Sequence, residues 1–308
     1  MANATQGAAV LDAKAVHMPK VLGPKLLADR VNRLWSDGLP PGDKTGWASL
    51  DKFYTIAEGQ LTIVTGWPGA GKSEWLDALL VNLAIQGWKF GIFSPENQPV
   101  EVHISKLLEK ISGKPFGQSS KSRMTQDEVT AFTNELDQSF GFMEATGRLS
   151  SPEDVLEAVV HFLFSFGADA KRGLVIDPWN ELEHWRPAQL SETEYVSKTL
   201  SMVRNWARKN KVHVWIVAHP QKMRRENGVL PIPRPDMIAG SQHWWNKADC
   251  AITVYRDFDK INSPDVDIHV QKVRFKHVGR PGLVTLQYDR ITGRYHEKTD
   301  MKVRKNET

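Results

Sequence analysis

The run Gly66-Trp67-Pro68-Gly69-Ala70-Gly71-Lys72-Ser73 leaves the chain around it few folds to choose from. It fits the pattern G-x-x-x-x-G-K-[ST], a phosphate-binding loop, which works only between a buried strand and a helix. Both are legible. The β-rich run Leu61-Thr62-Ile63-Val64-Thr65 enters the loop, and a helix-like run over 74–86 leaves it. Glycines at 66, 69 and 71 let the backbone curl so that successive N–H groups face an anion, and the helix N-terminus adds its positive end. Lys72 is placed to reach the β- and γ-phosphates of a nucleoside triphosphate, and the Ser73 hydroxyl to hold Mg²⁺. A glycine-rich turn that binds nothing is the alternative. With strand, loop, Lys-Ser and helix in register, nucleotide binding is the stronger reading.

Around this loop the apolar periodicity alternates between strand and helix. Strands are expected over 89–94, 173–177, 212–218 and 251–256, with a weaker one over 140–144. Helices are expected over 100–111, 126–138, 152–166 and 192–210, with a short one near 242–247. Ser151 as N-cap, Pro152 at the first helical position and Glu153-Asp154 in the first turn mark one helix start. Segments 267–274, 283–288 and 294–296 read as β-hairpin material. The pattern implies an α/β fold, a mostly parallel sheet with helices on both faces and antiparallel strands at its C-terminal edge. Ligands in such sheets sit at the carboxyl ends of the strands, where the candidate residues below are all expected to fall.

Upstream, 1–23 reads as a flexible leader. Leu26, Leu27, Val31, Leu34 and Trp35 recur at helical spacing until Gly38-Leu39-Pro40-Pro41-Gly42 breaks the pattern. The expected division is a leader and linker helix over 1–45, an ATPase domain over 46–300 and a tail over 301–308. No apolar run approaches the ~20 residues of a membrane span, and a lone cysteine, Cys250, excludes an intramolecular disulfide and a Cys-rich zinc site. Cytoplasmic residence is the default expectation. A net charge of +4, from 40 basic and 36 acidic residues, is too small an excess to argue nucleic-acid binding by itself.

Local chemistry carries more. Asp177 ends a hydrophobic strand, where a carboxylate can orient the Mg²⁺ shell, directly or through water. Glu96, just past the second strand, is a candidate to activate the attacking water; a surface glutamate is an equal alternative on pattern alone. His219, after the strand over 212–218, could donate to the γ-phosphate, although a lone histidine is more often structural. Lys272, Arg274 and Lys276 alternate along one strand, so they share a face, either solvated or aimed at transition-state charge. Lys222, Arg224, Arg225 and Arg234 lie in a proline-rich loop and could contact phosphates; loops are also often charged for solubility.

Taken together, these residues resemble the DnaB family of hexameric replicative helicases, with their RecA-like ATPase domain, and within it the Twinkle-like and phage primase–helicase branch. The resemblance runs from about Lys25 to about Tyr295 through five motifs in order: Gly66 to Ser73, Phe93-Ser94-Pro95-Glu96, Ile176-Asp177-Pro178-Trp179-Asn180, Ala218-His219-Pro220-Gln221-Lys222 and Lys272-Val273-Arg274.

The resemblance implies roles position by position. Glu96 matches the water-activating carboxylate, Asp177 the Mg²⁺-associated acid and His219 the γ-phosphate sensor. Lys272 and Arg274 match fingers that reach the ATP of an adjacent subunit. Gly240, Ser241 and Gln242 match the loop that tracks single-stranded DNA, and the helix over 26–35 matches a linker that packs on the next protomer; Lys222, Arg224 and Arg225 of the basic loop are grouped with that loop as DNA-contacting candidates. The implied ligands are ATP and Mg²⁺; the implied partners are single-stranded DNA, further copies in a ring of six, and a separate primase or other replication proteins. The implied activity is a 5′→3′ helicase or single-strand translocase. The alternatives are a RecA-like recombinase or regulatory ATPase without unwinding, and a non-hydrolysing loader. Two features depart from the family pattern: Asn180 stands where Gln is usual, and Trp244-Trp245 is unfamiliar, either packing the loop or stacking on a base.

Overall fold

The computed structural model describes residues 21–118, 120–144, 150–221, 230–239, 242–260 and 262–298. The chain divides into two compact units, Met1–Pro40 and Pro41–Thr308. In the first, a 3₁₀ turn Pro24–Leu27 continues into α1 (Ala28–Asp37), which Gly38 ends in a left-handed conformation at φ 80°. α1 buries none of its side chains, and Leu26, Val31, Leu34 and Trp35 are all exposed.

The second unit is built on one nine-stranded sheet. Its strands are β1 (Leu61–Thr65), β2 (Lys89–Phe93), β3 (Phe140–Met143), β4 (Arg172–Ile176), β5 (Val212–Val217), β6 (Cys250–Tyr255), β7 (Asp265–Val273), β8 (Gly282–Tyr288) and β9 (Tyr295–Glu297). The spatial order is β3-β2-β4-β5-β1-β6-β7-β8-β9. The first six are parallel and the last three antiparallel, as the periodicity implied. β1, between β5 and β6, is buried at every position, which explains its continuous apolar and β-branched run.

Helices α2 (Lys72–Ala84), α3 (Val100–Ser112) and α4 (Gln126–Asp137) cover one face; α5 (Pro152–Ser165), α6 (Glu192–Asn210) and the short α7 (His243–Lys247) cover the other. Each strand feeds both cores by alternation. In β5, Val212, Val214 and Ile216 join the α5/α6 core while Trp215 and Val217 join the α2/α3 core. Capping decides where the helices begin. Thr125, Ser151 and Ser191 each close a capping box with the residue three positions on.

One difference from the sequence reading bears on function. β7 ends at Val273, so Arg274 and Lys276 lie past the strand instead of sharing a face with Lys272. The ladder with β6 shifts register between Ala251 and Ile252, and the chain turns at Phe275–Val278. A bulge of this kind re-aims the side chains after it.

Under β1 sits a closed polar network. The His213 ring meets the Ala57 carbonyl at 2.7 Å through Nδ1 and the Thr62 hydroxyl at 2.9 Å through Nε2. Tyr54 completes it, 3.1 Å from Thr62 and accepting from the Trp215 indole at 3.1 Å. Complete burial pushes the His213 imidazole down to about 4 from its ordinary 6.5. Between those values the unfolded chain binds the proton and the folded chain does not, so stability contributed by neutral His213 is lost as pH falls. The stability difference between the protein and His213→Gln should therefore shrink by up to about 3 kcal/mol from pH 7 to pH 4. Urea unfolding at a series of pH values checks this, and a flat difference refutes it.

Candidate nucleotide site

The phosphate loop forms where β1 leaves the sheet. Gly66, Gly69 and Gly71 all take positive φ, at 153°, 76° and 91°, and Gly71 caps α2 in the left-handed conformation. Gly66 passes so close to β6 that a Cβ there would meet the Val254 carbonyl oxygen at 2.2 Å. The Lys72 ammonium lies back over the loop, donating to the Gly66 carbonyl at 3.1 Å and the Trp67 carbonyl at 3.3 Å. Burial holds its pKa below the usual lysine range, partly offset by Asp177 and Glu96. Trp67 is buried, with its indole donating to the Pro231 carbonyl at 2.9 Å, so the loop is tied to the segment over 230–239.

Asp177 follows β4 and is almost fully buried. Burial pushes its carboxyl up to about 6, against the hydrogen bond from the Ser73 hydroxyl. One carboxylate oxygen, Oδ1, has no hydrogen-bond partner in the protein. A buried carboxylate with an unused oxygen beside a hydroxyl at a phosphate loop suits Mg²⁺, which takes oxygen ligands and prefers one or two protein groups plus phosphates and water. Ser73 and Asp177 are the residues that would hold it.

Glu96 and His219 meet across the mouth of the loop. His219 Nε2 lies 3.4 Å from Glu96 Oε1, and the His219 backbone N–H donates to the Asn180 amide oxygen at 3.1 Å. Burial, then the nearby Lys72 charge, holds the His219 imidazole below its ordinary pKa, so it is neutral near pH 7. Its Nδ1 is buried and unpartnered. Six residues from four different strand ends thus converge: Lys72, Ser73, Glu96, Asp177, Asn180 and His219. The role of Asn180 was not legible, since its oxygen meets a backbone N–H that only the fold brings near.

Lys272 and Arg274 do not join them. Because β7 runs antiparallel, its carboxyl end lies at the opposite edge of the sheet, which corrects the expectation that all the candidate residues share one edge. The Arg274 N–H donates to the Asp249 carbonyl at 2.8 Å, at the start of β6, whereas Gly66 packs on Val254, five residues on. At ~3.3 Å per residue the separation along the strand is about 16 Å, beyond the reach of one side chain. The Arg274 guanidinium pairs with Asp249 Oδ1 at 3.0 Å and donates to the carbonyls of Asn246 and Ala248. The Lys272 ammonium donates to the Trp245 carbonyl, and burial, then the Arg274 charge, pushes it down to about 8.

The second candidate surface is only partly placed. Lys222, Arg224, Arg225, Gly240 and Ser241 lie outside the described residues. Gln242 is exposed just before α7. Trp244 is fully buried, edge-to-face with Trp179 at 5.1 Å and donating to the Ala239 carbonyl at 3.1 Å. It packs the loop and stacks on nothing outside the protein. The Trp245 ring lies under two cations, Arg234 at 5.1 Å and Lys272 at 5.7 Å from its centroid.

The comparisons agree with this geometry. Over 301 residues the chain is 39% identical to "Twinkle homolog protein, chloroplastic/mitochondrial" of Arabidopsis thaliana, covering 94% of this chain. It spans only 41% of that relative's length. Among solved structures it is similar to the ATPase domain of G40P at a TM-score of 0.74 and 18% identity, over 89% of this chain and 98% of that one. A DnaB-like replicative helicase, solved for its interactions with primase, gives 0.74 and 18% over 90% and 68% of the two chains. The RadB recombinase gives 0.53 and 14% over 83% of this chain and 99% of that one. No family model matches the sequence.

Gly66→Ala should weaken equilibrium ATP binding at least tenfold, because the new methyl group meets a strand carbonyl and not a side chain that can turn away. Fluorescent-nucleotide titration measures it, and unchanged affinity would show that the loop does not need this close approach.

Proposed function

We propose that this chain, a relative of the Twinkle protein over nearly its whole length and built on the ATPase fold of the DnaB-like helicases, is an ATP-driven DNA helicase or single-strand translocase whose nucleotide sites lie between subunits. One observation carries the reading. The phosphate loop and the cations Lys272 and Arg274 stand at opposite edges of the same sheet. A site that uses both therefore takes its loop from one copy and its cations from the next, and head-to-tail repetition of that contact gives a ring where the rotation closes, the form the family resemblance implies.

Within such a site each side chain has a defined task. The loop N–H groups and Lys72 hold the phosphates, and Glu96 accepts a proton from the attacking water. Neutral His219 carries one ring N–H, which faces Glu96 from Nε2 and would turn to donate to the γ-phosphate. Arg274 and Lys272 of the neighbour neutralise charge that develops on the transferred group. Ser73 and Asp177 would hold Mg²⁺, which would supply positive charge to balance the phosphates. Arg274 must leave Asp249 to act, and Arg204 and Arg208 remain to pair that carboxylate.

Single-stranded DNA is the proposed track, contacted by Lys222, Arg224, Arg225, Gly240, Ser241 and Gln242, with 5′→3′ movement and a ring of six as the family resemblance implies. The exposed apolar side of α1 would pack on the next copy, and a separate primase is the expected partner. Among the described residues no helix is long and apolar enough to cross a membrane. Residence in the cytoplasm is the proposal, although the name of the Arabidopsis relative places that protein in chloroplasts and mitochondria. The RadB likeness keeps a recombinase-type ATPase as the second reading, because fold alone is shared with it.

Two measurements decide. Forked-duplex unwinding driven by ATP should be present, and single-stranded DNA binding without unwinding would favour the recombinase reading. Lys72→Ala and Arg274→Ala should each lower ATPase at least a hundredfold, and mixing the two inactive proteins should restore turnover at interfaces that pair two intact half-sites. No recovery in mixed assemblies would remove the neighbour's cations from the site and overturn the shared-site reading.

A further inference from the structure

Glu96 can act on water only if its backbone stays put, yet the turn that carries it lies outside any strand or helix. Its own side chain is about half exposed, and the contact the structure gives it is His219 at 3.4 Å. The neighbouring residues hold the turn. The Asn97 amide donates to the Ser94 hydroxyl at 2.8 Å, and the Gln98 amide reaches the Ser94 carbonyl at 3.4 Å. Asn97 Oδ1 accepts from the Lys106 ammonium at 3.0 Å.

Lys106 stands on α3 and also faces α2. Its ammonium lies 3.4 Å from Glu74 Oε1, while Lys110 donates to the other oxygen, Oε2, at 2.5 Å. Glu74 follows Ser73 directly, in the first turn of the helix that carries Lys72 and Ser73. One turn farther along α2, buried Asp77 takes the His103 ring, with Nε2 3.0 Å from both carboxylate oxygens. Glu74 and Asp77 are three residues apart on α2; His103, Lys106 and Lys110 are three and four apart on α3, so each set lines one face.

We infer that Lys106 is a positioning residue, a clamp that fixes the Glu96 turn to the phosphate-loop helix through Asn97 on one side and Glu74 on the other. The inference rests on the proposed role of Glu96 and adds to it the group that places Glu96 at a set distance from Lys72 and Ser73. Stability is a poor explanation for the contact. Lys106 and Glu74 are a third and a quarter exposed and 3.4 Å apart, a kind of pair that contributes little to folding. Position is a better one, since a catalytic group displaced by about 1 Å loses roughly a hundredfold in rate. His103–Asp77 and Lys110–Glu74 hold α2 and α3 together independently, so removing the Lys106 ammonium releases the turn without separating the helices.

The test is steady-state ATPase of the full chain with an oligothymidylate. Lys106→Met should lower kcat roughly 10- to 100-fold, with KM for ATP and the melting temperature nearly unchanged. Lys106→Arg, whose guanidinium still spans Asn97 and Glu74, should restore most of the rate. Asn97→Ala cuts the same link from the other side and should reproduce the loss, which keeps the inference testable if Lys106→Met folds poorly. In a Glu96→Gln background, Lys106→Met should cost nothing more, because there is no base left to place. Unchanged kcat in Lys106→Met and Asn97→Ala, or an equal fractional loss with and without Glu96, overturns the clamp while leaving the role of Glu96 intact. Wild-type turnover in Glu96→Gln removes that role itself, and the clamp with it.

Discussion

The rear edge of the sheet is held by one buried carboxylate. Asp249 is fully buried, and its oxygens meet the Leu61 N–H, Arg204 at 2.6 Å, Arg208 at 3.3 Å and Arg274 at 3.0 Å. A buried charge without partners is costly, and this one is shared among several donors. Asp249 therefore fixes β1, α6 and the end of β7 to each other at one edge. At the opposite edge the strands end in loops, and the nucleotide residues, buried Lys72 and Asp177 among them, sit on those loops.

Those loops are joined to one another more than to the core. The Trp67 indole ties the phosphate loop to Pro231. Just past His219, Pro220 bridges Ile238, and the Gln221 N–H donates to the Met237 carbonyl at 2.8 Å. Two residues past Asp177, Trp179 meets Trp244 on α7. Trp67, Pro220 and Gln221 thus touch the segment that leads into 240–242, and Trp179 touches the helix just beyond it. On the proposed reading, a change in phosphate contacts at Lys72 or His219 displaces that segment directly. No long relay through the core is needed, which suits a motor that must convert a small change in its nucleotide into movement of a strand.

Much of this was legible in the sequence because its signals are local. Strand burial, capping boxes and the glycines of the phosphate loop are short-range constraints, and the element order followed from them. α6 spans the residues that the periodicity marked. What the sequence hid depends on strand direction and on contacts across loops. Three cations at alternate positions looked like one strand face, but a bulge shifts the register of β7 before Lys272 and the strand ends at Val273. The C-terminal strands were expected to be antiparallel, but the local pattern does not say that this carries Lys272 and Arg274 to the end of the sheet away from the phosphate loop. Lys106 carries no motif, and the motif that holds Asn180 does not name its partner; the partners are 9 and 39 residues away in sequence and are chosen by the turns between them. Trp244 could as well have been a base platform until its burial against Trp179 was seen.

The two edges differ in what they can tolerate, and that difference bears on how copies of the chain would work together. Arg274 is already paired with Asp249, so its transfer to a neighbour's phosphates would compete with that carboxylate. Arg204 and Arg208 would stay with the carboxylate when Arg274 leaves. On the proposed reading, a nucleotide with its full phosphate charge would draw Arg274 toward the neighbour, and loss of the terminal phosphate would release it. The interface would then tighten and loosen with the state of the nucleotide, without a change in the fold of each copy.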